Sequence, residues 1–418
     1  MHYGWKILIA CIGFYAITTG VLANTAGIFL TPVMDEMGWT RTDASMYLTI
    51  FPLVAAALQP LVGKMLQKYN PKIILTVSVL VFGLAYMATS QAHSVMAWNL
   101  FGVVYGVTAA FFMYIPVPWL INNWFSKKAG LCLGITGAAL SLFAAFASPI
   151  GNALIADYGW RTTRLIFGAV VLVIAIPLTL FFVRKSPAEM GLKPYGYEEE
   201  NNRGIKGAFA PESTGVSIGV AVKTPAFYLI LLLAGIFCLN ASFFQQIPSF
   251  AATGPLGAAA GAMAVSIVMV GGIVGKFVLG WLNDAVGTKL MGIISALCGA
   301  IGITLAFFAG SNVMMFYIGM AIFGGGYSGL TLVCPMVTKG TFGPKDYSQI
   351  YSYVTTGIFL FSAGAPLLYA RIYDTTQSFD LSFIIVISAY ILAAILVPII
   401  LGMSKKIQGL DKGNKNIA

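Results

Sequence analysis

Gly271-Gly272-Ile273-Val274-Gly275-Lys276-Phe277-Val278-Leu279-Gly280-Trp281-Leu282-Asn283-Asp284-Ala285-Val286-Gly287-Thr288-Lys289 is the stretch on which the fold turns. Its first half closes an apolar run of roughly 20 residues, the length an α-helix needs to cross about 30 Å of hydrocarbon. Polarity returns abruptly with Asn283, Asp284 and Lys289. Lys276 alone carries charge inside the run. An ionisable group at such depth is expensive, and by default it marks a functional site.

Segments of the same kind recur along the chain. Of its 418 residues, 58% are hydrophobic and 9% charged, with mean hydropathy +0.86; an ordinary soluble domain has a charged fraction of about 25%. Apolar periodicity predicts helices 1 to 12 over roughly 7–30, 44–63, 72–91, 96–122, 129–155, 163–183, 225–248, 259–282, 289–309, 314–337, 348–369 and 382–403. The first is too long, and lacks the small-residue cleavage site, to be a removable signal peptide. The expectation is an all-α membrane protein with twelve transmembrane helices. By these spans Lys276 is the one charged residue well inside an apolar segment.

A net charge of +10 raises the question of a nucleic-acid partner. The distribution of the bases answers it. With the N-terminus cytoplasmic, only Arg41, Arg161, Arg164 and Arg371 of the 24 Lys and Arg residues fall on the outer side, and all the rest except Lys276 fall inside. That asymmetry is the positive-inside rule. It places both termini in the cytoplasm, makes the lipid bilayer the large partner, and excludes nucleic acid. Cys11, Cys132, Cys238, Cys298 and Cys334 sit in five different predicted helices and read as small buried hydrophobes. His2 and His93 lie at the terminus and in a short outer loop. With no metal, cofactor, nucleophile or phosphate-loop constellation in view, an enzyme is set aside.

Between helices 6 and 7 the composition changes. Residues 184–224 hold Pro187, Pro194, Glu198, Glu199, Glu200, Asn201, Asn202 and Pro211, a mixture that cannot support a packed core. It reads as a cytoplasmic linker between an N-terminal bundle, 1–183, and a C-terminal one, 225–403, with a tail over 404–418. Displacing the chain on itself by 217 residues pairs Gly63 with Gly280, Lys72 with Lys289, Phe125 with Phe342, Pro149 with Pro366 and Asp157 with Asp374 without an insertion. The two six-helix bundles are therefore expected to be pseudo-symmetric.

The loop after helix 8, Gly280 to Lys289, resembles the loop pattern of the major facilitator superfamily: Gly, an acid four residues on, Gly, then a base. Such a loop puts a carboxylate where it engages donors on a neighbouring helix and holds one conformation closed, so Asp284, Gly280 and the counterpart Gly63 are assigned to gating. In the N-terminal copy Gln67 stands where the acid would be. Within the superfamily, Tyr3-Gly4-Trp5, Pro32-Val33, Asn123-Trp124-Phe125-Ser126-Lys127-Lys128-Ala129-Gly130, Gly159-Trp160-Arg161 and Thr224-Pro225-Ala226-Phe227 resemble the branch of oxalate/formate antiporters and monocarboxylate transporters. That resemblance implies two six-helix halves working by alternating access around a shared site.

The resemblance also implies residues. In that branch a base on helix 8, eight positions before the loop acid, contacts the substrate carboxylate, and here it is Lys276. Gln59 is its partner by the repeat, and Asn24, Tyr114 and Tyr327 occupy further cavity positions. Divalent-anion members carry a second cation on helix 11, but Ile358 stands near that position, so a small organic monoanion is expected. Proton-coupled members place an Asp one turn before the base, and here it is Gly272. Antiport and proton symport both stay open, and a monomer is expected.

Plainer readings stand beside these. Lys276 sits six residues from its predicted helix end and has the stem to snorkel. Asn24 and Gln59 have the chemistry to bridge helices, and Tyr114 and Tyr327 that of interfacial anchors. Gly102 with Gly106 and Gly130 with Gly134 read as close-packing faces, and Gly324-Gly325-Gly326 as a bend or close contact. Efflux of larger hydrophobic acids and a non-transporting sensor are the alternative functions.

Overall fold

In hydrocarbon each backbone N–H and C=O must find its partner inside the chain, which an apolar segment achieves by coiling into a helix. The computed structural model describes residues 2–197 and 215–407. Its membrane-length helices begin with α1 (Gly4–Met37), α2 (Thr42–Lys68), α3 (Pro71–Gln91) and α4 (Val95–Trp124). One helical run, Ala129–Phe182, is 54 residues long, and at Gly159 (φ 77°, ψ 163°) it divides into α5 (129–158) and α6 (160–182). There follow α7 (Pro225–Thr253), α8 (Ala259–Val286), α9 (Thr288–Phe307), α10 (Val313–Phe342), α11 (Tyr347–Thr376) and α12 (Asp380–Ile407). The twelve expected spans are thus present among the described residues. Most run past the apolar cores read from sequence, because hydropathy marks the hydrocarbon zone whereas a helix continues into the headgroup layer.

The chain forms two units, Met1–Lys127 with Ala139–Gly204, and Lys128–Ala138 with Ile205–Ala418. The first turns of α5 therefore belong with the second unit, whereas the sequence reading kept that helix whole within 1–183. Glu198, Glu199, Glu200, Asn201, Asn202 and Pro211 of the expected linker lie outside the described residues, as does the tail from 408 onward.

Within the first unit α4 packs on α2 and α3; within the second, α10 packs on α8 and α9, α12 on α9, and α7 on α11 and α12. Polar residues start several of these helices. Thr40 and Asp43 form a reciprocal capping box ahead of α2, Asp43 N donating to Thr40 Oγ1 at 3.2 Å and Thr40 N to Asp43 Oδ2 at 3.1 Å. Asn70 accepts from Lys72 N ahead of α3, Ser94 from Ala97 N ahead of α4, and Asn312 from Met315 N ahead of α10.

Mid-helix breaks mark α1, α4, α7 and α10, which are pairwise counterparts in the two halves of the sequence. In α1 two π-helical stretches, Ile12–Ile17 and Thr19–Ala23, precede a 3₁₀ segment, Ala26–Phe29. The α7 helix has its own 3₁₀ turn, Phe244–Gln246, just ahead of Pro248. In α4 the helix lapses over 113–115 before Pro116, and α10 is interrupted at Ser328. Proline accounts for the α4 and α7 breaks, since its ring blocks the preceding helical turn. In α1, Thr18 Oγ1 donates to Gly13 O at 3.4 Å and Thr25 Oγ1 to Val21 O at 2.5 Å, side-chain bonds that compete with the regular ladder.

The ends of the linker are tied down. Tyr195 N donates to Trp124 O at 2.9 Å, and Ser126 N and Lys127 N donate to Tyr195 O. Trp5 meets both Phe125 and Tyr195 edge-on. A Cβ on Gly4 would stand 3.2 Å from the Phe125 ring. The Tyr3-Gly4-Trp5 and Trp124-Phe125 motifs are therefore two sides of one aromatic cluster. At the other end Val216 N donates to Phe342 O and Ile218 N to Asp346 Oδ2.

Gly159→Ala would force an L-residue into a backbone region that glycine alone occupies easily, at about 1–3 kcal/mol. The thermal midpoint of the purified protein is expected to fall, whereas Gly219→Ala, in the short helix Ile218–Ala221 with nothing among the described residues within 4 Å of the added carbon, should hold or raise it. Equal midpoints for the two variants would refute this account of the α5–α6 turn.

Candidate functional site

The second unit holds a crossing of α5 and α8 built on glycine. A Cβ at Gly130 would stand 2.7 Å from Gly280 O, and one at Gly280 would stand 2.6 Å from Gly130 O. At Gly134 an added carbon would run into the carbonyl oxygen of Lys276. The expected small-residue face of α5 is thus a close backbone contact, and it brings α8 near enough for side chains to reach α5 main-chain atoms.

Lys276 makes such a contact. It is 2% exposed, and its Nζ donates to Gly137 O at 3.1 Å. A Cβ on Gly137 would press on the lysine stem, 3.2 Å from Cδ. The ammonium also stands 6.0 Å from the centre of the Tyr327 ring, within range of a cation–π attraction. Lys276 is therefore buried against α5 and α10 and does not snorkel to an interface. Two of the expected site residues, Lys276 and Tyr327, come together in this unit.

Two helical turns further on, the loop acid grips the start of α5. Asp284 Oδ1 accepts from Gly130 N at 2.9 Å and Oδ2 from Leu131 N at 2.8 Å. The first N–H groups of a helix have no partner within it, and a carboxylate there satisfies two of them while complementing the helix dipole. Asn283 supports the arrangement by donating from Nδ2 to Asp284 Oδ1 at 3.2 Å and accepting from Thr288 Oγ1 at 2.9 Å.

Gly272, one turn before Lys276, accepts a hydrogen bond from Ser328 Oγ at 2.9 Å through its carbonyl. A Cβ on Gly324 would stand 2.5 Å from Gly272 N, and one on Gly326 would meet Gly299. The glycine triplet of α10 is a packing surface against α8 and α9. Asn240 of α7 escaped the sequence reading, because one amide in an apolar run gives little signal. It is fully buried, and among the described residues neither side-chain amide atom finds a hydrogen-bond partner.

The other expected residues lie in the first unit. Gln59 is buried in α2 and donates from Nε2 to Ala110 O of α4 at 3.2 Å, the contact expected of a helix-bridging amide. Asn24 is exposed at the break in α1, and Tyr114 is half-buried at the break in α4. Gly63 is buried within α2.

Lys276 is not the one buried cation of the described residues: Arg164, which the sequence reading did not single out, is 1% exposed. The sequence reading placed Arg164 on the outer side because it took helix 6 to begin at 163. The helix in fact begins just past Gly159, which carries Arg164 more than a turn inside. Its sequence neighbour Arg161 behaves as expected of an interfacial base, pairing with Glu36 at 2.8 Å.

A sequence model of the Major Facilitator Superfamily matches residues 8–264 and 255–416. The chain belongs to that superfamily. This facilitator is 24% identical over 197 residues to the MFS-type transporter YcxA of Bacillus subtilis, a match covering 46% of the chain and 48% of the relative. It is 29% identical over 194 residues to the probable sulfoacetate transporter SauU of Cupriavidus necator, covering 43% of each. To monocarboxylate transporter 4 of Rattus norvegicus it is 25% identical over 206 residues, covering 48% of the chain and 43% of the relative. These matches span under half the length of each relative. A longer one, 84% of the chain and 80% of the relative at 22% identity, reaches the probable L-galactonate transporter of Escherichia coli. In fold it is similar to the E. coli fucose:proton symporter FucP (TM-score 0.70, 12% identity, 96% of this chain and 99% of that one). It is also similar to the proton:xylose symporter XylE (TM-score 0.73, 13% identity, 94% of each).

Removing the carboxylate at the start of α5 should cost about 1 kcal/mol, the usual loss when a capping side chain is truncated. In hydrogen–deuterium exchange, Asp284→Ala is expected to speed exchange of the Gly130 and Leu131 amides, and Asp284→Asn, which keeps one acceptor oxygen, to fall between. Unchanged protection in both variants would dissociate Asp284 from helix capping.

Proposed function

We propose that this facilitator, a secondary transporter by family, carries a small organic monoanion by alternating access, with Lys276 as the counter-charge. The observation that carries the reading is the 2% exposure of the Lys276 ammonium, since a buried charge is retained at such cost mainly where it serves a ligand or a proton. Gly137 O, which accepts from the ammonium at 3.1 Å, is a neutral acceptor, and an arriving anion makes the stronger charge-assisted hydrogen bond by displacing or sharing it. Tyr327 supplies a face over which the ammonium keeps favourable electrostatics through the exchange. The relatives named as monocarboxylate transporter 4, probable sulfoacetate transporter and probable L-galactonate transporter all take their names from organic anions, which supports the same class here. Asn24, Gln59 and Tyr114 are proposed to tune the cargo's surroundings from the first unit.

Anion exchange is the mode this favours. The position one turn before Lys276 is Gly272, which brings no carboxylate to relay a proton. Asp284, Gly280 and Gly63 are assigned to gating: the bonds from Asp284 to Gly130 and Leu131 hold in one conformation and release in another. The lysine-rich loops put both termini on the cytoplasmic side.

In proteoliposomes, counterflow of a preloaded monocarboxylate should survive collapse of the pH gradient. Lys276→Ala should reduce it at least roughly tenfold, the loss expected for a hydrogen bond to a charged group, and Lys276→Arg should retain part of it. Transport by Lys276→Ala at the wild-type rate, or transport confined to uncharged solutes, would overturn the proposal.

A further inference from the structure

The loop between α4 and α5 is held on both sides of one strained residue. Lys128 has φ 67°, in the left-handed region that residues with a Cβ avoid. Among the described residues Gln377 is the other non-glycine with positive φ, and it closes α11, an ordinary place for such a backbone. Lys128 instead stands at the head of a helix, where its carbonyl accepts from Cys132 N at 3.0 Å and so begins the α5 ladder. A residue in that position normally has an extended backbone.

On the N-terminal side, Ser126 N and Lys127 N donate to Tyr195 O at 3.0 and 3.1 Å. The next residue, Gly196 (φ 84°), packs so tightly that an added Cβ would run into Lys127 Cβ. On the C-terminal side, Gly130 N and Leu131 N donate to the two oxygens of Asp284. The Tyr195 bonds lie within the first unit and the Asp284 bonds within the second, and the division between the units falls at the Lys127–Lys128 peptide. Lys128 therefore turns the chain between two pairs of fixed N–H groups. Strain of this kind persists only where the surroundings over-determine it, and it collects at switches. The repeat supplies a comparison. The counterpart of Lys128 is Lys345, and there the loop takes its positive φ at Gly343 (φ 77°), a residue that adopts such a backbone without strain. The counterpart of Asp284 is Gln67. The strained residue and the carboxylate grip thus occur together, in one of the two copies.

We propose that Lys128 is a strained joint set against the Asp284 grip: closing the grip forces its backbone into the left-handed region, and opening the grip lets it relax. The strain offsets part of the free energy of the two charge-assisted hydrogen bonds, so the start of α5 leaves the carboxylate more readily than those bonds alone would allow. The use of that release in transport rests on the gating function proposed for Asp284, whereas the strain itself does not.

The test uses the full chain and compares Lys128→Gly with Lys128→Ala by hydrogen–deuterium exchange at the Gly130 and Leu131 amides. Both variants lack the ammonium, so the difference between them isolates the backbone. Lys128→Ala keeps the Cβ and the strain. Lys128→Gly removes both, and its two amides are expected to exchange roughly three- to tenfold more slowly, the relief of a left-handed residue less the added freedom of glycine. In an Asp284→Ala background the joint has no grip to oppose, and the difference should vanish. Equal exchange in the two variants, faster exchange in Lys128→Gly, or a difference undiminished without Asp284 would each overturn the joint. Counterflow decides the gating reading separately: wild-type transport by Asp284→Ala would remove the gate and leave the exchange result for Lys128 standing.

Discussion

The approach of α5 to α8 at backbone distance is the constraint on which the candidate site depends. Gly130, Gly134 and Gly280 leave no side chain between the two helices, so the main-chain groups of α5 become ligands for the charges of α8. The cation takes a carbonyl oxygen, Gly137 O, and the carboxylate takes two N–H groups, those of Gly130 and Leu131. Eight residues separate the two charges along α8, about 12 Å of rise, and α5 meets each with the backbone group of opposite polarity. A larger residue at any of these glycines would separate the helices and leave both charges short of their partners.

That arrangement defines what a cargo must do. The hydrogen bond from Lys276 to Gly137 O is a contact to a backbone carbonyl, which an arriving anion can share or displace. An anion gains from the full charge, and only the difference between its affinities for two conformations can move the protein from one to the other. Because Lys276 and Asp284 grip the same helix, a change at the ammonium reaches the carboxylate through a rigid length of α8 rather than through loops.

Much of this was legible in the residues, for identifiable reasons. Hydropathy located all twelve spans because apolar length is dictated by the bilayer. The spacing of Lys276 from Asp284 survives into the structure because one uninterrupted helix carries both. The backbone partners were not legible, since Gly137 O has no side-chain signature. Asn24 and Tyr114 look like ordinary helical residues until the breaks in α1 and α4 are seen. Pro116 forecasts the second of these, whereas the π and 3₁₀ turns of α1 leave no mark in the apolar periodicity. Arg164 was hidden by its place near a helix end, where an arginine is usually an interfacial anchor. Its aromatic neighbours, Phe29, Tyr86 and Trp98, come from three separate helices and converge only on folding.

The two buried cations solve the same electrostatic problem with different materials. Lys276 is held where glycines admit backbone dipoles, an environment that can trade one oxygen for another. Arg164 is held among polarisable rings, a rigid setting in which a planar, permanently charged group is favoured over an ammonium. The walls of its cavity include Leu22, Ala23 and Ala26, which belong to the irregular part of α1. Segments with displaced hydrogen bonds rearrange more readily than regular helix. The rigidly held guanidinium of Arg164 therefore borders the least regular stretch of the first unit, so a rearrangement of α1 would change the packing around a buried charge.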